Sequence, residues 1–406
     1  MIDGSSAVGI NVTFPGFGPE ASVHAALFIL PLLILFGREK IMLWLHGIAF
    51  LLMSNEAKGM SKQRDAASVV VPRGEGGGKA LEAKIIIFVR HGESEWNQIF
   101  NKSKFLLLPR LVVGIIFEAL CFLSSNSVFI DSPLSAEGVR QAKELQRHID
   151  EIYHGENIHE HEVLRILRAD SGALPSVIVS SNLRRAFSTG CIALRHRLSR
   201  TKEKIVILSS LQEMSRNVDA GALTMRRQLP DLSRTSSMSG HDFEAVKVLD
   251  AREYNGNKAM FSRAMPRMED FCAWCFKRPE PVIIVAAGHS LWFRNFFKAY
   301  IPKHLDHHSK KYKMVNCGVV GFRLDKGALS YDPNQPGYRV DVDSIVSAYG
   351  GFEKMSAKPG MRPGCKNEGL QRPLSSQVSG PSQSRAVAPT PRPWWGCCAS
   401  SRGAEG

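Results

Sequence analysis

Between residues 84 and 324, short apolar runs alternate with stretches whose apolar positions recur every three or four residues. IIIFV (85–89), SVIVS (176–180), KIVIL (204–208), PVIIVAA (281–287) and CGVVGFRL (317–324) have the length and β-branched content of buried strands. SAEGVRQAKELQRHID, NLRRAFSTGCIALRHRL and SLWFRNFFKAY follow several of them with the period of amphipathic helices. Apolar strands interleaved with such helices predict an α/β fold in three layers, a mostly parallel central sheet flanked by helices. In sheets of this kind ligands gather where strands end and loops begin.

Outside that region the pattern changes. Residues 21–37 (ASVHAALFILPLLILFG) and 41–53 (IMLWLHGIAFLLM) carry no formally charged side chain, and Arg38-Glu39-Lys40 separates them. The first run approaches the ~18–20 residues needed to cross a bilayer, although Pro31 interrupts it. The first twenty residues hold Asp3 and Glu20 but no Lys or Arg, which fits a cleaved signal peptide poorly. Of three readings of 1–53, a membrane anchor is the one favoured; the others are an unusual targeting segment and a start codon assigned too early, with Met53 opening MSNEAKGMSK. An anchor followed by Arg38 and Lys40 would leave the rest of the chain in the cytoplasm. The late start would give a soluble cytoplasmic protein. Residues 54–83 are polar and Gly-rich and read as a linker, and 84–353 as one domain. Within the linker, RGEGGGKA places its glycines one residue too close for a phosphate loop and has Ala80 where the metal-binding hydroxyl would stand. Residues 354–406, rich in Pro, Ser, Gly and basic residues, read as a disordered tail. There Cys397 and Cys398 follow two tryptophans, an arrangement open to reversible acylation, though disorder alone accounts for the composition.

Composition narrows the classes of partner. The chain of 406 residues is 44% hydrophobic and 22% charged, enough for a soluble core, and its formal charge of +14 favours anions. Phosphorylated small molecules, acidic membrane surfaces and nucleic acid all qualify. No zinc-finger spacing, aromatic RNA-binding signature or long basic run is present, which sets nucleic acid aside. Eight cysteines in this length make no disulfide scaffold, and Cys272-x-x-Cys275 has no second pair for a zinc site, so the two read as small apolar residues of a helix. The histidines of HGENIHEHE (154–162) are irregularly spaced in a charged segment and read as solvated. No metal or other cofactor is expected.

Four polar segments fall at strand exits: Arg90-His91-Gly92-Glu93 after IIIFV, SNLRRAFST with Arg185 after SVIVS, LQEMSRN with Glu213 after KIVIL, and AAGHSLWFRN with His289 after PVIIV. Two histidines, two arginines and a carboxylate suit metal-free phosphoryl transfer. A neutral imidazole can attack phosphorus. Guanidinium forks can hold the equatorial oxygens, and a carboxylic acid can protonate the departing oxygen. Gly92 lets the backbone approach the phosphate closely. Arg216, Asn217 and Arg294 also lie near these segments, where local ion pairing accounts for them at least as well.

RHGESEWN (90–97) resembles the signature of the histidine phosphatase superfamily, in the branch that includes cofactor-dependent phosphoglycerate mutases. DSPLSAEGVRQA (131–142) is similar to that family's D-x-P-L-[ST]-x-x-G-x-x-Q-A segment, SNLRRAFST to S-x-L-x-R-A-x-x-T, LQE to L-x-E, and VAAGHS to its second histidine motif. They occur in the family's order across residues 84–324. The resemblance implies that His91 is the nucleophile, forming a phosphohistidine that water hydrolyses. It implies that Arg90 and Arg185 clamp the phosphate, that His289 stabilises the transition state, and that Glu213 donates the proton, with Glu93 as substitute. Ser94 and Asn97 would line the phosphate pocket, helix capping being the competing role for both. The implied enzyme is a phosphoric monoester hydrolase acting on a phosphorylated small molecule or a phosphoprotein.

The chain also departs from the family. Residues 98–130 form an insertion with only Arg110 and Glu118 charged between Phe105 and Leu123. Pro109 and those two charges argue against a membrane span; a helical insertion beside the site, as lid or membrane-facing patch, is expected to control which substrates enter. After Glu213, MSRNVDAGALT lacks the G-x-x-x-G continuation of the mutases, so a phosphatase is favoured over mutase-type transfer. A non-catalytic phosphoprotein-binding scaffold is the remaining alternative, and survival of both histidines and both arginines speaks for an enzyme. Sugar phosphate, nucleotide, inositol phosphate and phosphoprotein all stay open as substrates.

Overall fold

Ile85, Ile86, Ile87 and Phe88 are fully buried in succession and feed two separate apolar clusters, one on each side of their strand. The computed structural model describes residues 40–56, 65–71, 82–122, 126–151 and 158–353, together with residues 27, 37, 38 and 124. Its strands are β1 (Val69–Val70), β2 (Glu82–Arg90), β3 (Ser176–Ser181), β4 (Ile205–Leu208), β5 (Leu249–Asp250), β6 (Val282–Gly288), β7 (Lys313–Met314), β8 (Val319–Leu329), β9 (Asp332–Tyr349) and β10 (Phe352–Glu353). Its helices are α1 (residues 40–53), α2 (Glu95–Phe100), α3 (Leu107–Leu120), α4 (Ala136–Asp150), α5 (Ile158–Arg168), α6 (Arg184–Ala193), α7 (Arg195–Thr201), α8 (Ser233–Ser239), α9 (Ala245–Val248), α10 (Ala264–Lys277), α11 (Ser290–Tyr300) and α12 (His308–Lys311).

The main sheet has the order β1-β8-β2-β6-β3-β4-β5, with β9 paired to β8. From β2 to β5 every pairing is parallel, while β8 joins β2, β9 and β1 antiparallel. On one face Ile85, Ile87 and Val89 pack with Leu145 of α4, Leu164 of α5 and Phe187 of α6. On the other, Ile86 and Phe88 pack with Phe271 of α10 and Trp292 and Phe296 of α11. Phe88 stacks on Phe293 with ring centroids 4.1 Å apart. The α/β layering expected from the apolar runs is the one the chain adopts, and each of the five expected strands lies in the sheet. The stretch from Asn182 to Leu198 forms two helices, because Leu194 leaves helical dihedrals at φ −102° and ψ 17°.

Some elements carry no sequence signal. DPNQPGYRVDVDSIVSAY, which contains Pro333 and Pro336, is β9, an outer strand where proline is tolerated. Within 54–83, Val69 and Val70 pair with Leu329 and Ala328 of β8. Cys272 and Cys275 are buried on α10.

The anchor reading of 1–53 finds no support among the described residues, where no helix is long and apolar enough to cross a membrane. The run 41–53 belongs to α1, whose described residues 40–53 cover about 21 Å at 1.5 Å per residue. Phe50 and Lys40 of α1 are buried against the domain. All of 21–37 except Leu27 and Gly37 lies outside the described residues, as does the tail 354–406. The insertion forms α3 together with the turns on either side of it. Leu107 and Leu111 pack against a small cluster of Ile99, Phe129, Ile130 and Val218.

Candidate active site

β2 and β6 lie side by side and parallel, and each ends in a histidine. Arg90 is the last residue of β2 and pairs with Gly288, the last of β6. His91 N donates to Gly288 O at 3.0 Å, and His289 follows as the N-cap residue of α11. The two imidazole centroids are 5.1 Å apart. β3 exits through Ser181 to Arg185 in the first turn of α6, and β4 exits through a short 3-10 turn to Glu213. His91, Arg185, Glu213 and His289 are all buried at this carboxyl edge of the parallel strands.

The tautomer of His91 follows from its partner. Its Nδ1 lies 2.6 Å from Gly92 O, and since a carbonyl only accepts, Nδ1 carries the proton and Nε2 keeps its lone pair. Burial lowers the His91 pKa well below the ordinary histidine value, and the Arg185 and Arg90 guanidiniums push the same way. The imidazole is therefore neutral at physiological pH. His289 is also held well below its ordinary pKa, by burial first and then by Arg185 and His91. Ser181 Oγ is 2.8 Å from His289 Nε2. A hydroxyl donating there leaves the proton on Nδ1, an atom buried with no hydrogen-bond partner and 3.9 Å from Glu213 Oε2. With His289 neutral this is no salt bridge. Burial raises the Glu213 pKa against the opposing pull of Arg185, favouring the protonated carboxyl.

The two arginines are fixed differently. Arg185 donates from Nη1 to Asp219 O at 2.8 Å, with Nη2 3.3 Å from Asp219 Oδ2. Arg90 donates to Met314 O, and its Nε is buried without a partner. Neighbouring Arg184 is fully committed elsewhere, to Asp131, Asn126 and the carbonyls of Ser127 and Ile130. Only the second arginine of SNLRRAFST thus faces the histidines.

Two glycines permit the loop to close. A Cβ on Gly92 would lie 2.6 Å from Gly138 O, and one on Gly138 only 2.0 Å from Glu93 O. The backbone of RHGE therefore runs directly against the first turn of α4. Gly92 N donates to Thr189 Oγ1 at 3.0 Å and Glu93 N to Gln141 Oε1 at 2.9 Å. The DSPLS segment completes the brace: Ser132 Oγ accepts from Trp96 N at 2.8 Å, and Ser135 Oγ caps α4.

The remaining candidates have local occupations. Ser94 caps α2 by accepting from Asn97 N at 3.2 Å, and Asn97 Oδ1 accepts from Asn101 Nδ2 at 2.8 Å. The Glu93 carboxylate is 3.1 Å from Ser135 Oγ and 3.0 Å from Lys102 Nζ. Asp219, which orients Arg185, has no counterpart in the sequence reading. Neither has Lys313, whose ammonium is lowered in pKa by burial first and then by Arg90 and Arg294, which places these cations together. Arg294 has a buried Nε with no hydrogen-bond partner, so the ion pairing that its position suggests is not what holds that atom.

No known family's sequence profile matches the chain, and no curated protein sequence does. Solved structures similar to it include a mycobacterial glucosyl-3-phosphoglycerate phosphatase, 16% identical over 64% of this chain and 98% of that one, with a TM-score of 0.31. The ecdysone phosphate phosphatase of Bombix mori, solved with tungstate, is 12% identical over 69% of this chain and 98% of its own, with a TM-score of 0.32. A Thermus thermophilus protein, TTHB049, is 18% identical over 58% and 92% of the two chains, with a TM-score of 0.24. Likenesses this distant carry no argument about activity, and the reading of the site rests on its own geometry.

Proposed function

We propose that this chain is a phosphomonoesterase of the histidine phosphatase superfamily that works through a phosphohistidine, with arginines rather than a metal ion supplying positive charge. The observation that supports this most directly is the neutral His91, whose Nδ1 proton is committed to Gly92 O, leaving Nε2 unprotonated beside His289. A phosphate-binding scaffold has no need of a nucleophile prepared in that way.

In the first step His91 Nε2 forms a bond to phosphorus and the ester P–O bond breaks. The electron pair stays on the departing oxygen, which takes the proton of the Glu213 carboxyl. Arg90, Arg185 and the Nδ1–H of His289 hold the three equatorial oxygens where charge accumulates. In the second step a water attacks phosphorus and gives its proton to the Glu213 carboxylate. The P–N bond then breaks, releasing phosphate and restoring neutral His91. The substrate class under this reading is a phosphorylated small molecule or a phosphoprotein.

Full-length protein should release phosphate from p-nitrophenyl phosphate in EDTA, and His91→Ala should abolish turnover. Protein labelled with radioactive phosphate and quenched in alkali should keep a label that acid removes, as a phosphoramidate does. Turnover unchanged by His91→Ala would refute the mechanism.

A further inference from the structure

Large apolar side chains left in water concentrate on two neighbouring helices. On α3, Val112, Val113, Ile115, Ile116 and Leu120 are 48–76% exposed, and on α1, Met42, Leu45, Ile48 and Leu52 are 45–75% exposed. Scattered apolar residues on a surface are ordinary, whereas a patch shared by two packed elements marks something that covers it. One buried carboxylate ties the two helices together. Glu118 Oε1 is 3.0 Å from Lys40 Nζ and accepts from Trp44 Nε1 at 3.1 Å, while Oε2 accepts from Val128 N at 2.7 Å. Their inward faces share the cluster of Ile99, Phe129, Ile130 and Val218.

The same contacts decide the charge of the outer face. Arg110 and Glu118 are the charged residues of α3. Glu118 is buried, and Arg110 is spent on Gln98 O at 2.9 Å and Ser103 O at 3.2 Å. The two charges that argue in the sequence against a membrane span are therefore both held by contacts within the protein. The outer face is left apolar on a helix with only a narrow buried stripe. A helix apolar around most of its circumference is normally buried around most of it.

We infer that the outer faces of α1 and α3 rest on a lipid bilayer, the helices lying in the plane of its interface. Among the described residues neither helix is long and apolar enough to cross a membrane, and neither needs to be. A protein partner of ordinary kind would require about one hydrogen bond per 100–200 Å² and would favour Tyr, Trp or Arg anchors. The outer face of α3 offers aliphatic side chains and Phe117, and no hydrogen-bonding side chain. Acyl chains ask for none. The edge of the face at α1 is cationic, with exposed Arg38, in a chain of net charge +14. This suits anionic headgroups. Gly37 packs against Phe122 just beyond α3. The inference does not depend on the catalytic reading.

The test is flotation of the full-length protein with vesicles of phosphatidylcholine and phosphatidylserine. The wild-type chain should float, and Ile115→Glu/Ile116→Glu should cut the bound fraction by about tenfold or more. Both side chains face solvent, so melting temperature and p-nitrophenyl phosphate turnover should be unchanged in the variant. If the charged pair disturbs folding, Val112→Ser/Ile116→Ser is read by the same criterion. Wild-type protein that stays with the pellet overturns the inference. So does a folded variant that floats as well as wild type, which would assign binding to residues 21–37. A wild-type dimer that ignores vesicles and is dissolved by the substitutions would assign the face to a second copy, and the inference would fall.

Discussion

The carboxylate of Glu56 sits 2.5 Å from the ammonium of Lys258, sealed beneath the loop that carries Glu213. Its other oxygen is 2.7 Å from Arg267 Nη2. Lys258 donates onward to Glu213 O at 2.6 Å and Ser215 O at 2.8 Å, and Arg267 to Gln212 O at 2.8 Å. The loop that carries Glu213 is thus pinned by two cations whose paired carboxylate, Glu56, comes from just beyond α1. Glu56→Ala leaves both cations buried and unbalanced, and should cost about 3–5 kcal/mol of stability in a urea titration. Glu56→Gln, which keeps an acceptor, should cost less. A loss below about 1 kcal/mol for Glu56→Ala would mean that solvent reaches the cations.

The same pair sets a pH dependence. Burial lowers the Lys258 pKa to about 8 from 10.5, with Glu56 resisting the shift. Between those values the unfolded chain holds a proton that the native chain has released, so stability contributed at this position rises as pH increases from about 8 to 10.5. Lys258→Met removes the titrating group. The difference in unfolding free energy between wild type and variant should therefore change in wild type's favour across that range. A difference that stays flat with pH would show Lys258 titrating normally.

If Glu213 protonates the departing oxygen, its importance depends on the leaving group. Glu213→Gln should lower kcat on an alkyl phosphate by about 10²–10⁴-fold. On p-nitrophenyl phosphate the loss should be far smaller, since nitrophenolate leaves without a proton. Equal losses on both substrates would remove Glu213 from that role and leave it a positional one.

What could be read from the sequence is what short segments determine for themselves. IIIFV and PVIIVAA are apolar on both faces and lie beside each other at the centre of the sheet. The polar segments that follow them meet because parallel strands end at a common edge, which brings Arg90, His91, Arg185, Glu213 and His289 to one place. Contacts across long separations left no local mark. Glu56 finds Lys258 across 202 positions, and nothing in SNEAK announces a buried carboxylate. Asp219 reads as an ordinary loop acid until Arg185 is beside it. Pro333 and Pro336 sit in β9, an outer strand, where proline is tolerated. Arg110 and Glu118 argue rightly against a span, but a formal charge in a sequence does not say which partner holds it, here the carbonyls of Gln98 and Ser103 and the ammonium of Lys40.

The depressed histidines make the acid side of the pH profile informative. His91 is neutral in the native protein well below its ordinary pKa of 6.5, chiefly through burial. Its nucleophilic form thus persists as pH falls through 6.5, and kcat/KM should not drop there as it would for a solvated imidazole. The unfolded chain does take up protons at that pH. His91 and His289 therefore make the native state lose stability as pH falls below 6.5, while its activity is retained. The Arg185 guanidinium is the second cause of the His91 depression, so Arg185→Gln should move the acid limb of kcat/KM toward neutral pH as well as weaken phosphate binding. A profile measured on wild type and Arg185→Gln tests both. An acid limb at 6.5 in wild type, or one that Arg185→Gln leaves in place, would mean that the imidazole is open to water and that Arg185 does not act on it.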